Sequence, residues 1–260
     1  MSTTVVHLLR HGEVYNPEGI LYGRAPGFVL SDRGHAMAAR VAERIGDRDI
    51  THLVSSPLER AQQTAAPLAK VRGLVPVIDE RVIESTNVFE GRPFSIGAGL
   101  LRRPSVWPHL LNPFRPSWGE PYTEVAQRMW AAVEDARAAA EGHEALIVSH
   151  QLPIWICRLY AEGRRFFHDP RRRQCTLCSV TSLEFDGDRL RTIGYSEPAG
   201  DLIPVAQRNA TFSAGTGFEE PNDLATQPGS QPQARGSEAT DRNPDLEPGT
   251  DHDLGPDADR

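Results

Sequence analysis

Two histidines, two arginines and a knot of carboxylates carry the chemistry open to this chain. Arg10-His11-Gly12-Glu13 directly follows the apolar run Val5-Val6-His7-Leu8-Leu9. Such a run suits a strand buried on both faces, and open sheets bind ligands just past the carboxyl ends of their strands. There an arginine can fork onto phosphate oxygens, a histidine can act as a nucleophile, and a glycine lets the backbone turn towards a ligand. The same stretch also reads as an ordinary charged loop. His150 repeats the arrangement after Ala145-Leu146-Ile147-Val148-Ser149, although a histidine so placed is often structural. Arg60 follows a third short run, Thr51–Ser55, where a solvated helix position is the plain alternative. Asp79, Glu80 and Glu84 put three carboxylates within six residues, and any of them can serve in proton transfer.

These side chains need strands and helices to hold them. Ser31 reads as an N-cap, and Met37, Val41 and Ile45 at helical spacing predict a helix over 32–45. Ser56-Pro57 predicts a second helix, capped by Ser56 and beginning at Pro57, with Arg60 in its first turn. A short strand is expected over 74–78. A long helix is expected over 122–141, with Val125, Met129, Val133 and Ala136 as its stripe and Gly142 as its stop. A strand over 144–150 leads into a helix within 151–160, starting near Pro153. Residues 178–185 and 189–193 flank Asp186-Gly187-Asp188 as a hairpin. The breaker-rich stretch 10–30 is irregular, and its Asn16, Tyr22 and Arg24 can line a pocket above the first strand. Arg171-Arg172-Arg173 reads as a solvated face.

Composition bounds the rest. The chain has 260 residues, 39% of them hydrophobic, enough for one sizeable domain with additions. No apolar run reaches the ~18 residues of a membrane span, and the start has no secretory pattern. Residues 213–260 hold 11 acidic and 3 basic side chains, so the chain's net charge of -7 belongs to this segment. It is poor in apolar residues and is expected to be a disordered acidic tail without a part in the chemistry. The remainder is close to neutral, which argues against general nucleic-acid binding. Cys157, Cys175 and Cys178 form no disulfide framework and fit a reducing, cytoplasmic setting. Cys175 and Cys178 have the spacing of half a zinc site but no second pair; buried thiols are the simpler reading.

Taken together the motifs resemble those of the histidine phosphatase superfamily, which includes phosphoglycerate mutases and many small-metabolite phosphatases. The match runs through Leu9-Arg10-His11-Gly12-Glu13, Gly23-Arg24, Leu30-Ser31-Asp32-Arg33-Gly34, Ser55–Thr64, Asp79–Glu84 with Glu90-Gly91, Val148-Ser149-His150 and Cys178–Thr181, spanning about residues 4–195. The resemblance implies a phosphoglycerate mutase-like α/β fold, a three-layer α/β/α sandwich with a mostly parallel central sheet. The domain would cover 1–212. It implies His11 as the nucleophile, with Arg10, Arg60 and His150 holding the phosphate, and Glu84, in preference to Glu80, as the acid and then the base. Asn16 is expected to contact phosphate, with Arg24 and Gln151 on the substrate. Val14 stands where the family commonly carries Ser or Thr.

The implied activity is hydrolysis of a small phosphomonoester through a phosphohistidine on His11, with no metal or cofactor. A phosphoglycerate mutase-type transfer and a catalytically silent phospho-ligand module are the alternatives. The stretch 92–121 reads as a substrate-side loop or cap, where Trp107 and Arg115 are candidate substrate contacts. A capping loop with no ligand role is the plain alternative. Small-molecule substrate is the expected partner, with no nucleic acid or membrane, and the fold permits monomers and homodimers.

Overall fold

The computed structural model describes residues 3–87, 90–91, 119–169 and 172–204. Most of the loop over 92–121, with Trp107 and Arg115, and the tail over 213–260 lie outside the described residues.

Strand β1 (Thr3–Arg10) sits inside a six-stranded sheet of order β3-β2-β4-β1-β5-β6. Its partners are β2 (Ile50–Ser55), β3 (Val77–Ile78), β4 (Glu144–Ser149), β5 (Val180–Asp186) and β6 (Arg189–Ser196). β1, β2, β3 and β4 run parallel, while β5 and β6 are antiparallel additions. The sheet is thus mostly parallel, as expected, and its hairpin lies where the alternation over 178–193 put it.

Helices cover both faces. Strand side chains alternate, so Val6, Leu8, Ala145 and Ile147 point to one face, and Leu9, Leu146 and Val148 to the other. The first face is covered by α3 (Tyr122–Ala139) and α4 (Gln151–Ala161), through Val125, Met129, Val133, Ile154 and Ile156. The second is covered by α1 (Asp32–Ile45) and α2 (Glu59–Arg72), through Met37, Val41, Ala61, Ala65 and Leu68. Ser31 caps α1 by accepting the Gly34 N–H at 3.0 Å.

Some boundaries differ from the sequence reading. α2 begins at Glu59, not Pro57, and Ser56 is not its N-cap. Ser56 is instead drawn to His150 by a 2.8 Å hydrogen bond. β3 shrinks to two residues because it is an edge strand paired only at Val54 and Ser55. α4 begins at Gln151, two residues before Pro153. Pro153 falls in the first turn, where no intrahelical N–H bond is lost.

Candidate active site

The parallel strands bring three chain positions to one edge. Arg10 is level with Ser149, and Ser55 with Val148. The residues that follow, His11, Ser56 and His150, therefore emerge side by side. The His11 N–H donates to the Ser149 carbonyl at 3.1 Å, and the Ser56 N–H to the Val148 carbonyl at 3.0 Å. His150 opens α4, whose positive N-terminal end sits at this edge.

His11 is buried and locked in one tautomer. Its Nδ1 lies 2.8 Å from the Gly12 carbonyl, an acceptor only, so the proton sits on Nδ1. Nε2 keeps its lone pair. Burial, then the charges of Arg60 and Arg10, hold the ring's pKa well below the ordinary histidine value. The ring is neutral and nucleophilic at neutral pH. The turn beneath it is tight. The Gly12 N–H donates to Thr64 Oγ1 at 3.0 Å, and a side chain on Gly12 would come within 2.8 Å of the Gly34 carbonyl oxygen.

Arg60 is 0% exposed, yet among the described residues its Nε and Nη1 have no hydrogen-bond partner. Nη2 donates to the Gly23 carbonyl at 2.6 Å, and the guanidinium lies 4.7 Å from the centre of the Tyr22 ring. Gly23 adopts φ +42°, and a Cβ there would strike the Glu90 side chain. His150 is also fully buried; its Nε2 bonds to Ser56 Oγ and its Nδ1 has no partner. Its ring centre is 5.1 Å from that of His11. Arg10 donates through Nη1 to the Cys175 carbonyl at 2.7 Å. Unpartnered buried donors cost about 1–3 kcal/mol each, and more for charged groups. The two such donors of Arg60, beside a neutral histidine, are suited to an anion.

Glu84 completes the group. It is half-buried, and its Oε1 accepts the Ser85 N–H at 2.8 Å. Loss of solvation raises its pKa, against the pull of the Ser85 N–H, Arg60, Arg10 and Arg173. A carboxyl kept protonated longer than usual is suited to donate a proton. Its backbone is clamped. Arg24 Nε donates to the Glu84 carbonyl at 2.5 Å, and Arg128 Nη1 to the carbonyls of Arg81 and Ile83 at 2.5 and 2.8 Å. Glu120 joins the two arginines, accepting from Arg24 at 3.0 Å and from Arg128 at 2.7 and 3.0 Å. Ser149 Oγ donates to the Val82 carbonyl at 2.7 Å, fixing the same segment to the end of β4.

The sequence-derived set thus separates into two groups. His11, Arg10, Arg60, His150 and Glu84 converge. Arg24 holds the Glu84 backbone, and Gln151 shares the Cys175 carbonyl with Arg10 at 3.3 Å. Asn16 bonds through both ends of its amide to the backbone of Ile20, at 2.8 and 3.0 Å, so it shapes the first loop. Val14 forms an antiparallel bridge with Leu30, a further brace of that loop. Asn87 and Gly119 form another, closing the two ends of the stretch expected to be a cap.

Sequence reading missed Thr64, Arg128, Glu120 and Arg173. Thr64 lies one helical turn past Arg60, a spacing that could have flagged it. Arg128 and Glu120 look like ordinary surface charges in sequence. Arg173, read as part of a solvated face, is half-buried, with its Nε donating to His168 Nε2 at 2.8 Å. The three cysteines are free and buried. Among the described residues no group of side chains is placed to hold a metal ion, and no helix is long and apolar enough to cross a membrane.

Similar proteins bear on this arrangement. The uncharacterised protein Rv0525 of Mycobacterium tuberculosis is 58% identical over 196 residues, covering 75% of this chain and 97% of that protein. A probable phosphoglycerate mutase, GpmB of Yersinia pestis, is 32% identical over 203 residues, covering 75% and 92%. The structure of Bacillus stearothermophilus YhfR superposes with a TM-score of 0.61 at 27% identity, covering 73% of this chain and 95% of YhfR. Residues 6–197 match the model of the histidine phosphatase superfamily, branch 1. That span holds both strand-end histidines, both arginines and Glu84, and the chain belongs to the histidine phosphatase superfamily.

Proposed function

We propose that the protein hydrolyses a small phosphomonoester through a phosphohistidine on His11, without a metal or cofactor. The observation that carries this reading is the pairing of His11, protonated on Nδ1 and so with its lone pair on Nε2, with the fully buried Arg60, whose Nε and Nη1 lack partners among the described residues. Phosphoryl transfer needs a nucleophile, a cationic clamp for the equatorial oxygens and a proton donor. Nε2 of His11 attacks phosphorus as the ester P–O bond breaks, and Glu84 gives its proton to the departing alkoxide. Arg10, Arg60 and His150 hold the transferring group. Glu84, now ionised, takes a proton from water as that water attacks phosphorus and the P–N bond breaks. Inorganic phosphate leaves, and both His11 and Glu84 are restored.

The name of the Yersinia relative favours a second reading, in which the phosphoryl group returns to a phosphoglycerate instead of passing to water. Incubation with 3-phosphoglycerate separates the two: hydrolysis releases inorganic phosphate, whereas mutase action interconverts the 2- and 3-isomers. In Glu84→Gln, label from a phosphomonoester is expected to accumulate on His11 and persist. Label recovered on His150 would overturn the assignment of the nucleophile.

A further inference from the structure

Arg173 has no part in the clamp, yet it lies beside it. It stands two residues before Cys175, whose carbonyl accepts from both Arg10 and Gln151. Its charge acts on Glu84, and the Arg10 charge acts on it. Its orientation is set from behind. His168 lies between the rings of Tyr122 and Trp155, with centres 6.0 and 5.9 Å away. Burial, then the Arg173 charge, lowers the His168 pKa to about 4, so the ring is neutral at neutral pH. Its Nδ1 lies 2.6 Å from the Phe166 carbonyl and so carries the proton. Nε2 is thereby an acceptor, and it takes the Arg173 Nε–H. Among the described residues, Nη1 and Nη2 of Arg173 have no hydrogen-bond partner and no carboxylate lies within ion-pair distance.

We propose that Arg173 is a specificity residue that binds a second anionic group, a carboxylate or a second phosphate, on the non-reacting end of the substrate. The inference rests on the phosphomonoesterase reading above. With Nε held by His168, the terminal edge of the guanidinium is presented for the forked contact that carboxylates and phosphates accept. An arginine kept only for Glu84 would pair with it, and it does not.

The test measures binding without turnover. In a His11→Ala background, calorimetry compares 3-phosphoglycerate with glycerol 3-phosphate, which differ in a carboxylate. It also compares fructose 1,6-bisphosphate with fructose 1-phosphate, which differ in a phosphate. At least one doubly anionic member is expected to bind about tenfold tighter than its partner, a scale set by one charge-assisted fork. Adding Arg173→Gln should bring that ratio close to one, and Arg173→Lys should keep part of it. The pair that responds names the second anion. A ratio unchanged by Arg173→Gln, or no discrimination in either pair, overturns the proposal, with near-ultraviolet dichroism establishing that each variant is folded. Phosphate release from p-nitrophenyl phosphate by the intact protein tests the hydrolase reading separately.

Discussion

At the scale of single residues, the site is a balance between neutral and charged groups at the sheet edge. His11 and His150 are kept neutral by burial and by Arg60, while Glu84 is pushed towards its protonated form by burial. The pH dependence of the first chemical step follows from these directions. Glu84 must be protonated to donate, so leaving-group release should fall as pH rises through its raised pKa. The lowered pKa of His11 keeps the nucleophile unprotonated well into the acid range. A rapid-quench measurement of leaving-group release against pH is expected to show the alkaline decline, and Glu84→Gln should lack it. An unchanged decline in the variant would remove Glu84 from the role of acid. Arg60→Met should lower kcat by roughly 10²–10³-fold, the usual loss when one donor to developing charge is removed. A loss confined to KM would mean that Arg60 binds substrate without favouring the transition state.

Elements act by bringing backbone into close register. The first loop lies so near the start of α1 that a Cβ on Gly34 would stand 2.0 Å from the Glu13 carbonyl oxygen. Gly34→Ala is therefore expected to displace the Arg10–Glu13 turn, with about 1–3 kcal/mol of overpacking cost. Thermal melting should show the destabilisation, together with reduced kcat. A variant as stable and active as the parent would show that the loop yields freely. On the other side of the cleft, Arg128 reaches from α3 to the backbone before Glu84 and is braced by Glu120. Misplacing a reacting group by about 1 Å can cost 10²-fold. Arg128→Met should thus reduce kcat roughly 10–100-fold and leave KM far less changed, because Arg128 acts through the acid segment and not on phosphate. An effect mainly on KM would instead place Arg128 on the substrate.

For the whole molecule, buried histidines tie stability to pH. His11, His150 and His168 have lowered pKa values in the folded state, so the unfolded chain binds their protons first as pH falls. Their contribution is fully present above the ordinary histidine value near 6.5 and is lost below it, for His168 down to about 4. Glu84 has the opposite sign: its raised pKa adds stability as pH falls towards the ordinary carboxyl range. Three histidines against one carboxyl leave a net loss. The urea midpoint is expected to drop between pH 7 and pH 5, and inorganic phosphate should restore part of it by binding the folded clamp. His168→Gln should shrink the drop, since glutamine does not titrate. A pH-independent midpoint over that range would contradict the burial of these rings.

Sequence alone determined a good deal here. Largely apolar runs ending in Arg10, Ser55 and Ser149 state that buried strands end there, because strands covered on both faces carry few polar positions. The periodic apolar positions of 32–45 and 122–139 likewise expressed their helices. The convergence of His11, Arg10, Arg60 and His150 was readable because they sit at strand ends or one helical turn beyond, within short motifs. The bonds from both ends of the Asn16 amide to the Ile20 backbone are visible only in the folded loop. The roles of Arg128, Glu120 and Arg173 were decided by tertiary structure alone. Each is an ordinary charged residue in its own segment, and it acquires its role from carbonyls and rings contributed by distant parts of the chain. A hydrogen bond between segments tens of residues apart leaves no local periodicity, so only the folded contacts of Arg128 with the Arg81 and Ile83 carbonyls, of Glu120 with Arg24 and Arg128, and of Arg173 with His168 could assign them.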